Sequence, residues 1–187
     1  MEIVMKHLNK QLTAIASILI FSIGLMLSCN VFAAKPLDYA IGGVGPGGGY
    51  IFFVTDDGKH GLEVAQSDLP GLKVWGQLVD TNAARNGVFG GRFNTDRIIG
   101  ANGMGDYAAL SAANATGGGY GDWYLPSPRE FLIIGDVNHL LPNPLDGDYW
   151  TSMEYDTTNA HGMSMPILYG YNSNKSTQYK VRHIRAF

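Results

Sequence analysis

The sequence predicts an α+β fold: a single domain with an N-terminal hairpin, two helices and a C-terminal antiparallel sheet joined by polar loops. Three observations carry this. A pair of short β-type runs flanks an Asp-Asp-Gly turn near residue 57, two segments between residues 106 and 140 have helical character, and short aromatic or β-branched runs recur after residue 149.

The leader comes first. Lys6 and Lys10 precede an apolar run from Leu12 to Leu27, and Ala33 and Ala34 follow. That order is a secretory signal peptide, residues 1–33, with cleavage before Ala34. A retained anchor is disfavoured because the run includes Thr13, Ser17 and Gly24 and falls short of the roughly 20 apolar residues that span a bilayer. Leu25-Met26-Leu27-Ser28-Cys29 resembles a lipoprotein box, so membrane attachment is expected only if Cys29 is lipidated. Cleavage before Ala34 removes Cys29, the chain's single cysteine, and leaves no disulfide framework or thiol chemistry.

Residues 34–187 make one domain's worth of chain. The balance of 13 basic against 16 acidic residues, a net charge of -3, lacks the basic excess of a nucleic-acid binder. Gly-rich residues 41–49 form a turn entering a strand at Tyr50 to Thr55, and Asp56-Asp57-Gly58 turns the chain into a second strand near Leu62 to Ala65. Gly43, Gly45 and Gly48 match GxGxxG formally, but a strand and not a helix follows, so dinucleotide binding is excluded. Residues 71–105 are rich in Gly, Asn and Asp and are expected to be long loops with one short strand.

Asp106 to Thr116 reads as a small packed helix ending at Gly117-Gly118-Gly119. The next helix is better marked. Ser127 stands as N-cap, Pro128 at the first helical position and Glu130 three residues on, a capping box, with Phe131, Leu132, Ile134 and Leu140 as the buried face and Pro142 and Pro144 as the stop. Strands are expected at Tyr149 to Met153, Ala160 to Pro166 and Gln178 to Ala186.

Several of these segments together resemble one family. They are Gly45-Pro46-Gly47-Gly48-Gly49-Tyr50, His60-Gly61-Leu62-Glu63, Trp75-Gly76, Gly121-Asp122-Trp123-Tyr124-Leu125-Pro126-Ser127, Tyr149-Trp150-Thr151-Ser152, Asn159-Ala160 and Val181-Arg182-His183-Ile184-Arg185-Ala186-Phe187. In this order and spacing the chain is similar to the C-terminal domain family of the bacterial collagen-like adhesin Lcl. The resemblance implies a compact C-type lectin-like fold and a secreted or cell-surface recognition role, with some members binding sulfated polysaccharides and some oligomerising. This chain departs from the family pattern at His183 and Ile184, where Pro and Val are commoner, and at Pro128 and Arg129.

The expected binding surface is the segment 154–179. Tyr155, Asn159, Tyr169, Tyr171, Asn172, Asn174, Lys175 and Tyr179 combine large aromatic area with adaptable hydrogen bonding. The competing account is that the tyrosines simply pack on the core. Lys175, Lys180, Arg182 and Arg185 make the C-terminal end locally basic, suiting a sulfated glycan, unless Arg182 and Arg185 brace the sheet against acids such as Glu154, Asp156 or Asp122. Asp146, Asp148, Glu154 and Asp156 match no calcium loop, and the histidines show no ligand spacing, so neither metal nor cofactor is expected. No nucleophile motif occurs, which disfavours an enzyme. The expected partner is a host or environmental glycan or a protein, with no nucleic acid; a homo-oligomer stays open. The alternative functions are a polysaccharide hydrolase using Asp122 and Glu130, or a structural subunit of a surface assembly.

Overall fold

The computed structural model describes residues 39–187, so the signal-peptide and Cys29 readings lie outside the described residues. β1 (Tyr50–Val54) and β2 (Gly61–Val64) form the expected antiparallel hairpin, closed by Gly58 at φ 70°. The third strand of this sheet comes from the far end of the chain: β8 (Ile184–Ala186) pairs with β2, giving the order β1-β2-β8. A two-stranded ribbon joins β3 (Lys73–Val74) to β7 (Gln178–Tyr179). The single closing strand expected over residues 178–186 is therefore two strands in two sheets.

The glycine-rich entry to β1 encloses a carboxylate. Glu63, fully buried on β2, accepts from the backbone N–H of Gly47 at 2.8 Å and of Gly49 at 3.0 Å, and from Arg185 Nη1 at 2.9 Å. A side chain at position 47 would place its Cβ 2.6 Å from Glu63 Oε1, so the close approach requires glycine there. The close approach of this turn to Glu63 accounts for the glycines at 47 and 49.

Residues 71–105 correct the expected loop: they contain α1 (Gly90–Asn102), a 13-residue helix. It begins on two glycines after Phe89 at φ 64°, with no local side-chain cap. Its missing acceptor comes from another helix. Glu130 takes the Phe89 N–H at 2.8 Å and the Gly91 N–H at 3.2 Å. α2 (Ala108–Ala113) and α3 (Pro128–Val137) match the expected helices, and Ser127 and Glu130 form the capping box at the start of α3. Phe131 and Ile134 are buried as expected, whereas Leu140 lies beyond the helix and is exposed.

β4 (Gly147–Glu154), β5 (Asn159–Met165) and β6 (Tyr169–Asn174) make the third sheet, antiparallel in the order β4-β5-β6. β6 was expected to be polar loop. Successive side chains of β4 enter different cores. Tyr149 joins Phe52, Leu62, Phe131 and Ile134, and Trp150 joins Trp75, Ile98, Leu125 and Val181. Burial of each such ring contributes about 2–3 kcal/mol. The strand bulges after Trp150, and the freed N–H groups of Ser152 and Glu154 bond to Pro126 O at 2.7 Å and Ala83 O at 2.8 Å. Tyr149 to Ser152 thus stitches both cores to the loops around them.

Candidate functional site

The residues expected to bind ligand fall into groups that the sheet separates. In the β5–β6 register Tyr171 lies opposite Gly162 and Tyr169 opposite Ser164, which in turn lies opposite Asp148 on β4. Because side chains alternate, Tyr169 and Tyr171 share one face of β6 while Asn172 and Asn174 take the other. Tyr169 and Tyr171 stack at 6.3 Å with an interplanar angle of 24°. Tyr171 meets Tyr179 edge-on at 5.6 Å, and Tyr179 meets core residue Trp150 at 4.7 Å. Three of the expected residues are therefore one aromatic row running from the core to solvent, ending at Tyr169, which is 64% exposed.

Glycine creates this row. A Cβ at Gly162 would lie 2.6 Å from the Tyr171 ring, so only glycine lets that ring lie across β5. The Tyr171 hydroxyl is enclosed without a hydrogen-bond partner, and burial raises its pKa above the ordinary tyrosine value. Beside the exposed end stand Asp148, which is exposed, and the half-buried Ser164. An aromatic platform flanked by a carboxylate and a hydroxyl offers apolar contact and hydrogen-bond acceptance together.

The other expected residues have different surroundings. Asn159 donates through Nδ2 to Asp156 Oδ2 at 3.0 Å, and Asp156 also accepts from the Thr158 N–H at 2.8 Å. These bonds, led by the one from Asn159, hold the Asp156 carboxyl down to about 2. Asn174 likewise accepts from the Ser176 N–H at 2.9 Å, building the turn after β6. Tyr155 is exposed beside the Asn159–Asn174 end of the sheet, five residues of β5 from the Ser164–Tyr169 end, a separation of about 17 Å.

Lys175 corrects the expectation most sharply, because its side chain is 0% exposed. Its Nζ donates to Val79 O at 2.7 Å and to Glu154 at 2.5 Å, 4.9 Å from the Trp75 ring. Its polar neighbours Asn174 and Ser176 hide this inward turn in the sequence.

The basic C-terminal patch is likewise dispersed. Arg182 pairs with Asp68 at 2.6 Å, Arg185 with Glu63 and Asp122, and Lys180 donates to Asp146 O at 2.7 Å. Bracing is the arrangement observed, and of the acids anticipated as partners of the two arginines Asp122 is the one that pairs. Asp122 and Glu130, the carboxylates suggested for hydrolysis, are engaged by Arg185 and by two helix starts respectively. Glu154 is turned inward to the N–H groups of Thr81 and Asn82, each at about 3 Å. Among the described residues no three His, Cys, Asp or Glu side chains converge to hold a metal ion, and no helix is long and apolar enough to cross a membrane.

The arrangement defines the class: a mixed α and β domain with antiparallel sheets, few helices and an exposed aromatic row on an edge strand. No protein-family profile matches the chain, and no curated protein matches it. Among solved structures it is similar to a fimbrial protein from Bacteroides ovatus, with a TM-score of 0.52 and 13% sequence identity over 81% of this chain. The chain spans 45% of the length of that protein. At that identity the likeness is one of fold.

Proposed function

We propose that this chain is an exported bacterial recognition domain of the adhesin type, with a C-type lectin-like fold, that binds a glycan or protein ligand through the Tyr169–Tyr171–Tyr179 row. The stacked Tyr169–Tyr171 pair carries the reading. A fully structural pair would be covered, whereas Tyr169 is 64% exposed and flanked by Asp148 and Ser164. Support comes from the resemblance to Lcl C-terminal domains and from the fold shared with a fimbrial protein. The same two points favour a secreted or surface location and a role without catalysis.

The test is binding of the purified protein on a glycan array and in pull-downs from target surfaces. Replacing Tyr169 and Tyr171 together with Ala should weaken binding by about tenfold or more, the loss expected for aromatic anchors. Replacing Asn172 and Asn174 with Ala should leave it within about twofold. Undiminished binding by the double tyrosine variant would sink this placement.

A second reading is a structural subunit of a surface assembly. It is favoured by the fimbrial neighbour and by β6, whose one strand partner among the described residues is β5, leaving an edge that a further strand can extend. Light scattering that shows self-association abolished by Asn172→Pro, with the glycan array blank, would favour this reading over the first.

A further inference from the structure

A cleft of about 330 Å³ lies away from the tyrosine row, where the two glycine-rich turns meet over Trp123 and His183. Its walls include the backbone at Gly47 and Gly118, with Gln66 and Ser67 exposed beside it. The size is at the lower end of small-molecule sites, roughly 300–1,000 Å³.

The walls are fixed from beneath. Glu63 holds Gly47 and Gly49, Gln66 Nε2 donates to Gly48 O at 2.6 Å, and Trp123 Nε1 donates to Gly117 O at 3.2 Å. A Cβ at Gly118 would collide with the Gly47 carbonyl, so the two turns are in direct contact. Such bracing keeps the opening from closing on itself.

None of the lining side chains carries an ionised group. Glu63 below is fully enclosed and matched by Arg185, so it offers nothing to a ligand. Gln66 retains its amide oxygen and Ser67 its hydroxyl. An ionic ligand would lose its hydration with no opposite charge to replace it.

His183 supplies the remaining specificity. It is 8% exposed, packs edge-on to Trp123 at 4.8 Å, and its Nδ1 is enclosed without a hydrogen-bond partner. A buried acceptor without a partner costs less than a buried N–H without one. The proton therefore belongs on Nε2, the ring nitrogen that is not enclosed.

We propose that this cleft is a second binding site, for one uncharged pyranoside ring, with the His183 Nε2–H as donor and Gln66 and Ser67 as hydroxyl-binding groups. The ligand must be amphipathic and neutral, because the floor is aromatic and its polar groups are uncharged. A hydroxylated ring with an apolar face meets both demands. The site is independent of the tyrosine row and does not rest on that row's function.

Nitrogen-detected histidine spectra and amide spectra of the purified protein test it during titration with the neutral methyl glycosides of glucose, galactose, mannose and N-acetylglucosamine, and with glucose 6-sulfate. Expected are saturable shifts at His183 Nε2 and the Gly47, Gly48 and Gly118 amides with at least one neutral glycoside below about 50 mM. Affinity should fall by about tenfold or more in Gln66→Ala, and Ser67→Trp should occlude the mouth and abolish the shifts. Both positions are exposed, so their variants fold. Tyr169→Ala should leave the shifts unchanged, which separates this site from the tyrosine row. The proposal is overturned if no neutral glycoside gives saturable shifts, if Ser67→Trp leaves them intact, or if the sulfated sugar binds more tightly.

Discussion

His183 shows what one buried imidazole does to the pH dependence of the whole protein. Burial, and secondarily the neighbouring Arg182 charge, push its pKa down to about 4, with Asp68 opposing weakly. The folded state thus keeps His183 neutral where the unfolded chain protonates it. Between the ordinary value of 6.5 and about 4 the unfolded state binds more protons, so stability rises with pH across that window. The contribution is complete above the upper limit and is lost as pH falls through the lower one. Its full size is about 3 kcal/mol. Urea titrations at pH 7, 5.5 and 4 should show this loss in the wild type and a flatter profile in His183→Gln. Equal slopes in the two proteins would show that other groups set the acid limit.

At the scale of elements, Glu130 couples two helices that sequence treats separately. It accepts from Ser127 N at 2.7 Å in its own helix, from Phe89 and Gly91 at the start of α1, and from the Tyr124 hydroxyl at 3.2 Å. Burial raises its pKa despite these bonds. Glu130→Gln keeps the volume but sets an NH2 against backbone donors, and should cost about 2–3 kcal/mol. Hydrogen exchange should quicken at residues 89–93 together with Ser127 and residues 129–131; exchange quickened at α3 alone would refute the coupling. The same shared cap explains what sequence left hidden. The Ser127–Glu130 box was legible because both partners are local, as was the β1–β2 hairpin with its Asp-Asp-Gly turn. α1 was not, because it starts on Gly90 and Gly91, and its cap lies about 40 residues away. β6 was missed for a related reason: Tyr-Gly-Tyr-Asn-Ser-Asn has little β-type character, and the strand forms because Gly162 on its neighbour makes room for Tyr171. The tyrosines of the candidate site were legible by composition. Their separation from Asn172 and Asn174 depended on strand register, and the burial of Lys175 on a contact with Glu154 21 residues away.

At the scale of the whole molecule, residues 184–187 close the first sheet. β8 completes the sheet begun by β1 and β2, and Gly61 and Phe187 exchange two backbone hydrogen bonds, each 3.0 Å. The Phe187 ring meets Tyr39 at 4.6 Å, and Arg185 reaches both Glu63 and Asp122. The N-terminal hairpin, the Asp122–Tyr124 segment and the chain end therefore form one structural unit despite their separation in sequence. Removing residues 184–187 would uncover Leu62 and Val64 and leave Glu63 as a buried carboxylate without its cation. The stranded charge alone costs about 3–5 kcal/mol, and the lost burial of Ile184 adds about 2. Against a typical total of about 5–15 kcal/mol, little folded protein should survive. The truncated chain should show no cooperative urea transition by tryptophan fluorescence, while Tyr169→Ala, altering only an exposed ring, should keep the wild-type midpoint. A truncated protein that unfolded cooperatively at the wild-type midpoint would mean that the hairpin and the two cores are stable without β8. If closure is needed, the β1-β2-β8 sheet cannot complete its native pairing until residues 184–186 are present, so folding must await the long-range contact of β2 with β8.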